Sequence, residues 1–133
     1  MSTIILGIDP GIGRTGWGVI EKNKGQVKLI AYGCIETPAK TAIESRLLVL
    51  HKELTKIIKK YKPEMAAVEK LFFNTNVTTA IEVGEARGVV ILTLQMMKVP
   101  CESFTPLQIK QTVTGYGRAD KMQVQKMVKA LLH

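Results

Sequence analysis

Two acids in this chain stand where apolar runs end. The stretch over 3–9 closes on Asp9, and Met65-Ala66-Ala67-Val68-Glu69 is apolar throughout until its terminal carboxylate. Runs of that kind predict buried strands, and carboxylates at the ends of adjacent buried strands converge at one spot. Hard divalent cations such as Mg²⁺ take oxygen ligands in that arrangement. Two such ions roughly 3.5–4 Å apart can activate a water, orient an in-line attack on phosphorus and stabilise the leaving oxygen. The competing explanation for each acid is a strand-end cap on a loop. Other groups offer less chemistry. Asp120, the second of two aspartates, has Gln123 three residues on and reads as a helix cap. The nine glutamates lie mostly on faces shared with Lys or Arg. His51 and His133 lack the neighbours that a metal ligand or general base requires.

The elements that must position those acids follow from changes of period. Strands are predicted over 3–9, 15–22 and 26–37, as an antiparallel meander with Asn23-Lys24-Gly25 as the tight turn. Ile43, Leu47, Leu50, Leu54, Ile57, Ile58 and Tyr61 then recur at threes and fours, one face of an amphipathic helix stopped by Lys62-Pro63. Lys52, Lys56, Lys59, Lys60 and Lys62 fill much of the rest, as a solvated face or a nucleic-acid contact. A fourth strand ends at Glu69. A long helix over 77–97 carries Ala80, Gly84 and Gly88 at four-residue intervals, a flat stripe for packing on the domain's own sheet or on a second copy. A fifth strand over 99–104 leads to Thr105-Pro106, an N-cap with proline at the first helical position, and Gly115 stops that helix. The last helix, capped by Asp120, turns Val124, Val128, Leu131 and Leu132 inward and meets the chain end without a stop signal. That pattern predicts a chain cut short.

Composition bounds what these elements serve. The chain has 133 residues, 46% of them apolar, which is enough for one core and predicts a single domain over 1–133. Nineteen Lys plus Arg against eleven Asp plus Glu leave a net charge of +8, so a polyanion is the first partner to consider. Cys34 and Cys101 are far apart, without a second Cys or His at metal-ligand spacing, and fit a reducing cytosol. The N-terminal apolar run is too short for a signal peptide, and no later one approaches the ~18 residues of a membrane span. A cytoplasmic protein without a membrane partner is expected.

Two common motifs fail on context. Gly11-Ile12-Gly13-Arg14-Thr15-Gly16 matches G-x-G-x-x-G, but that fingerprint must open a helix, whereas Trp17-Gly18-Val19-Ile20 continues as a strand. Asp-x-Gly followed by a hairpin also begins the actin-like ATPases, which need two such domains and a much longer chain.

Apolar strand, Asp9-Pro10-Gly11, hairpin and a second strand ending in Glu69 together resemble the ribonuclease H-like architecture. More closely, the chain resembles the RuvC family of crossover junction endodeoxyribonucleases. The likeness rests on Leu6-Gly7-Ile8-Asp9-Pro10-Gly11 with Thr15-Gly16-Trp17-Gly18, on Val68-Glu69-Lys70-Leu71-Phe72, on Gly84-Glu85-Ala86-Arg87-Gly88, and on Ile109-Lys110-Gln111-Thr112-Val113-Thr114-Gly115 with Asp120-Lys121. These segments span essentially the whole chain in the family's order.

The resemblance implies an α/β, ribonuclease H-like fold: a mixed five-stranded sheet, antiparallel in strands 1–3 and parallel in strands 4 and 5, flanked by helices. It implies resolution of four-way (Holliday) DNA junctions by metal-dependent symmetric nicking in recombination and repair, with Mg²⁺ as cofactor and Mn²⁺ as the alternative. Asp9 and Glu69 are the implied metal ligands, and Lys110 and Lys121 join them as catalytic residues near the scissile phosphate; a solvent-facing role for either lysine is the alternative. Phe72 and Phe73 are DNA-binding candidates, with Phe72 the one to stack on an opened base, or both pack beneath their loop. Arg14, Arg118 and Lys70 are expected on DNA, and Arg87 either there or in an intersubunit ion pair. A homodimer and a branch-migration helicase complex are the implied partners. The family completes its metal site with acids on a C-terminal helix that this sequence does not include. The alternative function is therefore a catalytically incomplete module that binds junction DNA without cutting it.

Overall fold

Strand residues alternate between two faces, and here the two faces are unlike. Even-numbered positions of the first strand, Ile4, Leu6 and Ile8, are large and apolar; odd-numbered Gly7 and Asp9 are not. The computed structural model, which describes residues 2–70 and 77–132, turns this asymmetry into two distinct layers. Strands β1 (Ser2–Asp9), β2 (Arg14–Asn23) and β3 (Gln26–Glu36) precede helix α1 (Ile43–Tyr61) and strand β4 (Met65–Glu69). Helix α2 (Val77–Met96), strand β5 (Cys101–Phe104), and helices α3 (Pro106–Thr114) and α4 (Lys121–Leu132) complete the described chain.

The sheet order is β3-β2-β1-β4-β5. β1 to β3 form the expected antiparallel meander, and β4 pairs parallel with both β1 and β5. Between β2 and β3 the positive φ angles fall on Lys24 (49°) and Gly25 (80°), while Asn23 stays in the ladder opposite Gln26. The turn is thus a two-residue hairpin whose left-handed positions are Lys-Gly, not Asn-Gly. The fifth strand begins at Cys101, two residues later than predicted, because Val99 and Pro100 carry the chain out of the helix.

One face of the sheet holds the core. Leu6, Ile8, Val19, Ala66 and Val68 pack against Leu50, Leu54 and Ile58 of α1 and Ala86, Val90 and Leu94 of α2. Trp17 lies against Tyr61, ring centres 5.9 Å apart, and across Gly33, where an added Cβ would come within 2.8 Å of the indole. α1 ends at Lys62, in the left-handed region at φ 50°, and Pro63 prevents continuation. α1 and α2 are also joined by His51 Nδ1 and Thr93 Oγ1 at 2.8 Å, with the Thr93 hydroxyl donating to the Val89 carbonyl.

The small-residue stripe of α2 does not serve its own sheet as a unit. Ala80 is buried, but Gly88 is exposed and a Cβ there would meet nothing within 4 Å. Val77, Ile81, Leu92 and Met96 are exposed on the same helix. α4 departs from expectation too: Val128 and Leu131, predicted to face inward, are exposed, and only Val124 and Leu132 are half-covered. The reason is that α4 packs on α3 and the β3 end of the sheet, leaving an open groove between Ile20, Val27, Val113 and Leu131.

Candidate active site

The register decides which acids meet. Ile8 pairs with Val68 across parallel strands β1 and β4, so Asp9 and Glu69, one residue further along each, leave the sheet side by side. Both project from the face opposite the core, where Gly7, Gly16, Gly18 and Ala67 make the floor of a cleft of about 340 Å³ walled by Phe104 and Ile109. Asp9 is exposed and Glu69 half-buried. The Glu69 carboxyl is pushed up to about 7, first by burial, then by its hydrogen bond and like charge with Asp9; the Lys110 ammonium acts the other way. A carboxylate pair so crowded holds a proton near neutrality and favours a cation that replaces it.

Lys110 reaches the pair because α3 is anchored where β5 ends. Thr105 Oγ1 accepts from the Gln108 backbone N–H at 3.1 Å, and Gln108 Oε1 accepts from the Thr105 N–H at 2.9 Å, a reciprocal capping box with Pro106 behind it. One turn later Lys110 is half-buried and Ile109 lines the cleft. Gly115 ends α3 at φ 76°, as predicted. Asp120 and Gln123 cap α4 reciprocally, at 2.8 and 2.9 Å, so Asp120 is a cap and no part of the site.

The loop that follows Asp9 is tied down by threonines. The Gly11 N–H donates to Thr15 Oγ1 (3.1 Å), whose hydroxyl donates back to the Gly11 carbonyl at 2.7 Å. An added Cβ on Gly11 would come within 2.3 Å of the Arg14 carbonyl oxygen, so the tight turn requires glycine there. Thr37 supplies two further bonds, from its N–H to the Gly13 carbonyl (3.0 Å) and from its hydroxyl to the Ile12 carbonyl. Arg46 Nε in turn donates to Thr37 Oγ1 at 2.9 Å.

Of the described residues expected from sequence, Asp9, Glu69 and Lys110 come together and the others do not. Lys121 begins α4 and Arg118 precedes it, both exposed and neither bonded to the acids. Arg14 is exposed at the start of β2, paired with Glu36 at 3.6 Å, and neighbouring Cys34 and Glu36 favour its charged form. The Lys70 side chain is exposed, while its backbone N–H extends the β4–β5 ladder to the Phe104 carbonyl at 2.7 Å. Phe72 and Phe73 lie outside the described residues. Arg87 turns inward, donating to Ser103 Oγ at 2.6 Å, with Nε buried and unpartnered; it is not a surface phosphate contact within this chain. Sequence reasoning missed Thr15, Thr37 and Arg46. The one available signal was that Arg46 is the only arginine in a helix whose other basic residues are lysines. Among the described residues no group of three or more His, Cys, Asp or Glu side chains forms.

A mixed sheet in this order, with acids at the ends of its adjacent parallel strands, defines a ribonuclease H-like domain with a two-carboxylate site. Comparisons with known proteins narrow that class. The family model for "Crossover junction endodeoxyribonuclease RuvC" matches residues 5–133. Proteins of that name from Halothermothrix orenii and Caldicellulosiruptor saccharolyticus are 52% and 55% identical. The first match covers 98% of this chain and 79% of the relative, the second 96% and 78%. The chain belongs to the RuvC family. Among solved structures, RuvC of T. thermophilus in complex with Holliday junction substrate superimposes with a TM-score of 0.90 at 31% identity, over 98% of this chain and 79% of that one. The yeast mitochondrial Holliday junction resolvase Ydc2, at 14% identity and a TM-score of 0.72 over 95% of this chain and 60% of its own, shares the fold.

Proposed function

We propose that this chain is a structure-specific endonuclease, a single nuclease domain that resolves four-way DNA junctions by symmetric nicking in recombination and repair. The observation that carries this is the meeting of Asp9 and Glu69 at one cleft, within electrostatic reach of Lys110, in a RuvC-family fold. The donor set among the described residues is two carboxylates, all oxygen, with Glu69 pushed up to about 7 by burial and by Asp9 beside it, which fits a hard divalent cation. Asp9 and Glu69 would hold it; we assign Mg²⁺, with Mn²⁺ the alternative. When bound, such an ion supplies Lewis-acid charge at the phosphate. Asp9 and Glu69 bind and orient, and Glu69 gives up its proton as it does so. Lys110, whose ammonium acts on Glu69, would neutralise charge developing on the phosphate oxygens. Phe104 and Ile109 wall the cleft with apolar surface. Lys121 is assigned to the DNA near the scissile phosphate, as are Arg14, Arg118, Lys70, Phe72 and Phe73 to its flanks.

A homodimer is supported by substrate symmetry and by α2. A four-way junction is two-fold symmetric, so two identical sites on an isologous dimer match it. Val77, Ile81, Gly88, Leu92 and Met96 give α2 an exposed apolar ridge with a glycine at its centre, suited to close approach of a second copy. The branch-migration helicase remains a partner by resemblance. No helix among the described residues is long and apolar enough to cross a membrane; the cytoplasmic location is proposed on the sequence alone. A second reading, a module that holds junctions without cutting them, is favoured by a donor set of two among the described residues.

Competition binding among a synthetic four-way junction, linear duplex and RNA–DNA hybrid tests the substrate assignment. The junction is expected to win by about tenfold or more, about 1.4 kcal/mol, with binding that weakens steeply as salt rises. Preference for the hybrid, or binding indifferent to salt, would overturn it.

A further inference from the structure

Asp9 is the last residue of β1, and its carboxylate is only as well placed as the loop that turns β1 into β2. That loop is fastened at three successive carbonyls. Thr15 takes Gly11 from within the hairpin, and Thr37, at the far end of β3, takes Ile12 by its hydroxyl and Gly13 by its N–H. A threonine hydroxyl has one proton and rotates freely unless something fixes it. Arg46 fixes this one. Its Nε–H donates to Thr37 Oγ1 at 2.9 Å, so the hydroxyl proton must point elsewhere, and it points at the Ile12 carbonyl. Thr37 is buried, which makes an unmade bond there costly.

The rest of the guanidinium closes over the same loop. Arg46 Nη2 lies 3.3 Å from where a Cβ on Gly13 would stand. Arg46 enters neither ion pair found among the described residues, Arg14–Glu36 or Lys56–Glu53, so no carboxylate accounts for its position. A lysine would not reproduce the arrangement, because an ammonium lacks the fixed fork that lets Nε serve Thr37 while Nη2 covers Gly13.

We propose that Arg46 is a positioning residue of the active site, acting through Thr37 to lock the loop that holds Asp9 against Glu69. The proposal rests on the nuclease reading of that acidic pair. Arg46 touches no substrate in this account; it acts at second hand, as outer-shell partners of metal ligands do.

Mn²⁺ titration calorimetry, junction affinity across a salt series without divalent metal, and amide hydrogen exchange test it on the wild type, Arg46→Ala, Arg46→Lys, Thr37→Val and Thr37→Ser. Arg46→Ala and Thr37→Val should each weaken Mn²⁺ binding about tenfold, the low end for outer-shell losses, and speed exchange of the Thr37 amide. The double variant should be no worse than Thr37→Val alone, since both break one relay. Thr37→Ser, which keeps the hydroxyl, should restore wild-type affinity, and Arg46→Lys should not. Junction affinity and its salt slope should stay unchanged. A salt slope shallower by about 1 in Arg46→Ala but not Thr37→Val would overturn the proposal, making Arg46 a phosphate contact. Unchanged Mn²⁺ affinity with a lowered melting temperature would overturn it too, making Arg46 a packing residue. If the wild type binds no Mn²⁺, or Asp9→Asn binds it equally, the nuclease reading fails instead. Thr37 amide exchange still judges the relay in that case, and no acceleration in Arg46→Ala overturns it.

Discussion

The two faces of this sheet are built to opposite rules. On the covered face Leu6, Ile8, Val19 and Val68 meet α1 and α2 in a core with almost no exposed surface. On the other face Gly7, Gly16, Gly18 and Ala67 leave a shallow floor, with two carboxylates at its rim. The strands are shared, so successive residues of β1 and β4 alternate between the core and the cleft. Parallel strands buried on one side bring their C-terminal ends together rigidly, and acids placed there are held close despite their mutual repulsion. The raised Glu69 carboxyl reflects its burial first and that closeness second.

Substitutions on the covered face should act on folding and leave the site's affinity per folded molecule alone. Leu54→Ala empties a fully buried position of α1, and a loss of about 2–5 kcal/mol is expected in denaturant unfolding. Mn²⁺ affinity of the folded fraction should be unchanged; a parallel loss of affinity would show that the two faces are not independent.

On the open face the expected effect is smaller and depends on pH. Glu69 has a folded pKa raised from 4.5 to about 7, so the fold favours its protonated form. That contribution is fully present below the unfolded value and is lost as pH rises through about 7. Metal-free protein should therefore be less stable at pH 8 than at pH 5 by this group's share, and Glu69→Gln should flatten the difference. A saturating divalent cation competes with the same proton and should reverse the trend. An unfolding free energy with the same pH slope in wild type and Glu69→Gln would contradict the burial and crowding of the Glu69 carboxyl.

How much of this was legible beforehand follows from the range of each signal. α1 begins and ends where its period and Lys62-Pro63 said, and β4 runs from Met65 to Glu69 as read, because those signals are local. The caps at Thr105 and Asp120 are three-residue patterns and were equally plain. Asp9 and Glu69 were legible as acids closing apolar runs. That Lys110 stands beside them came from resemblance, since no local pattern distinguishes it from the other helix lysines. Thr37 with Ile12 and Arg46 with Thr37 join residues 25 and 9 apart, across two loops, and no spacing rule announces such bonds. The exposed Val128 and Leu131 mark the converse: periodicity gives a helix its apolar face but not what covers it.

Whether the acidic pair cuts junction DNA, as proposed, is tested most directly on the junction itself. A synthetic four-way junction is incubated with Mg²⁺ and either the wild-type chain or Asp9→Asn, with binding recorded and nicks mapped on all four strands in parallel. Paired, symmetric nicks are expected from the wild type, at least about a thousandfold slower in Asp9→Asn, equivalent to roughly 4 kcal/mol of barrier, with junction binding retained in both. Nicking that survives Asp9→Asn, or junction binding by both chains with no nick from either, would contradict it.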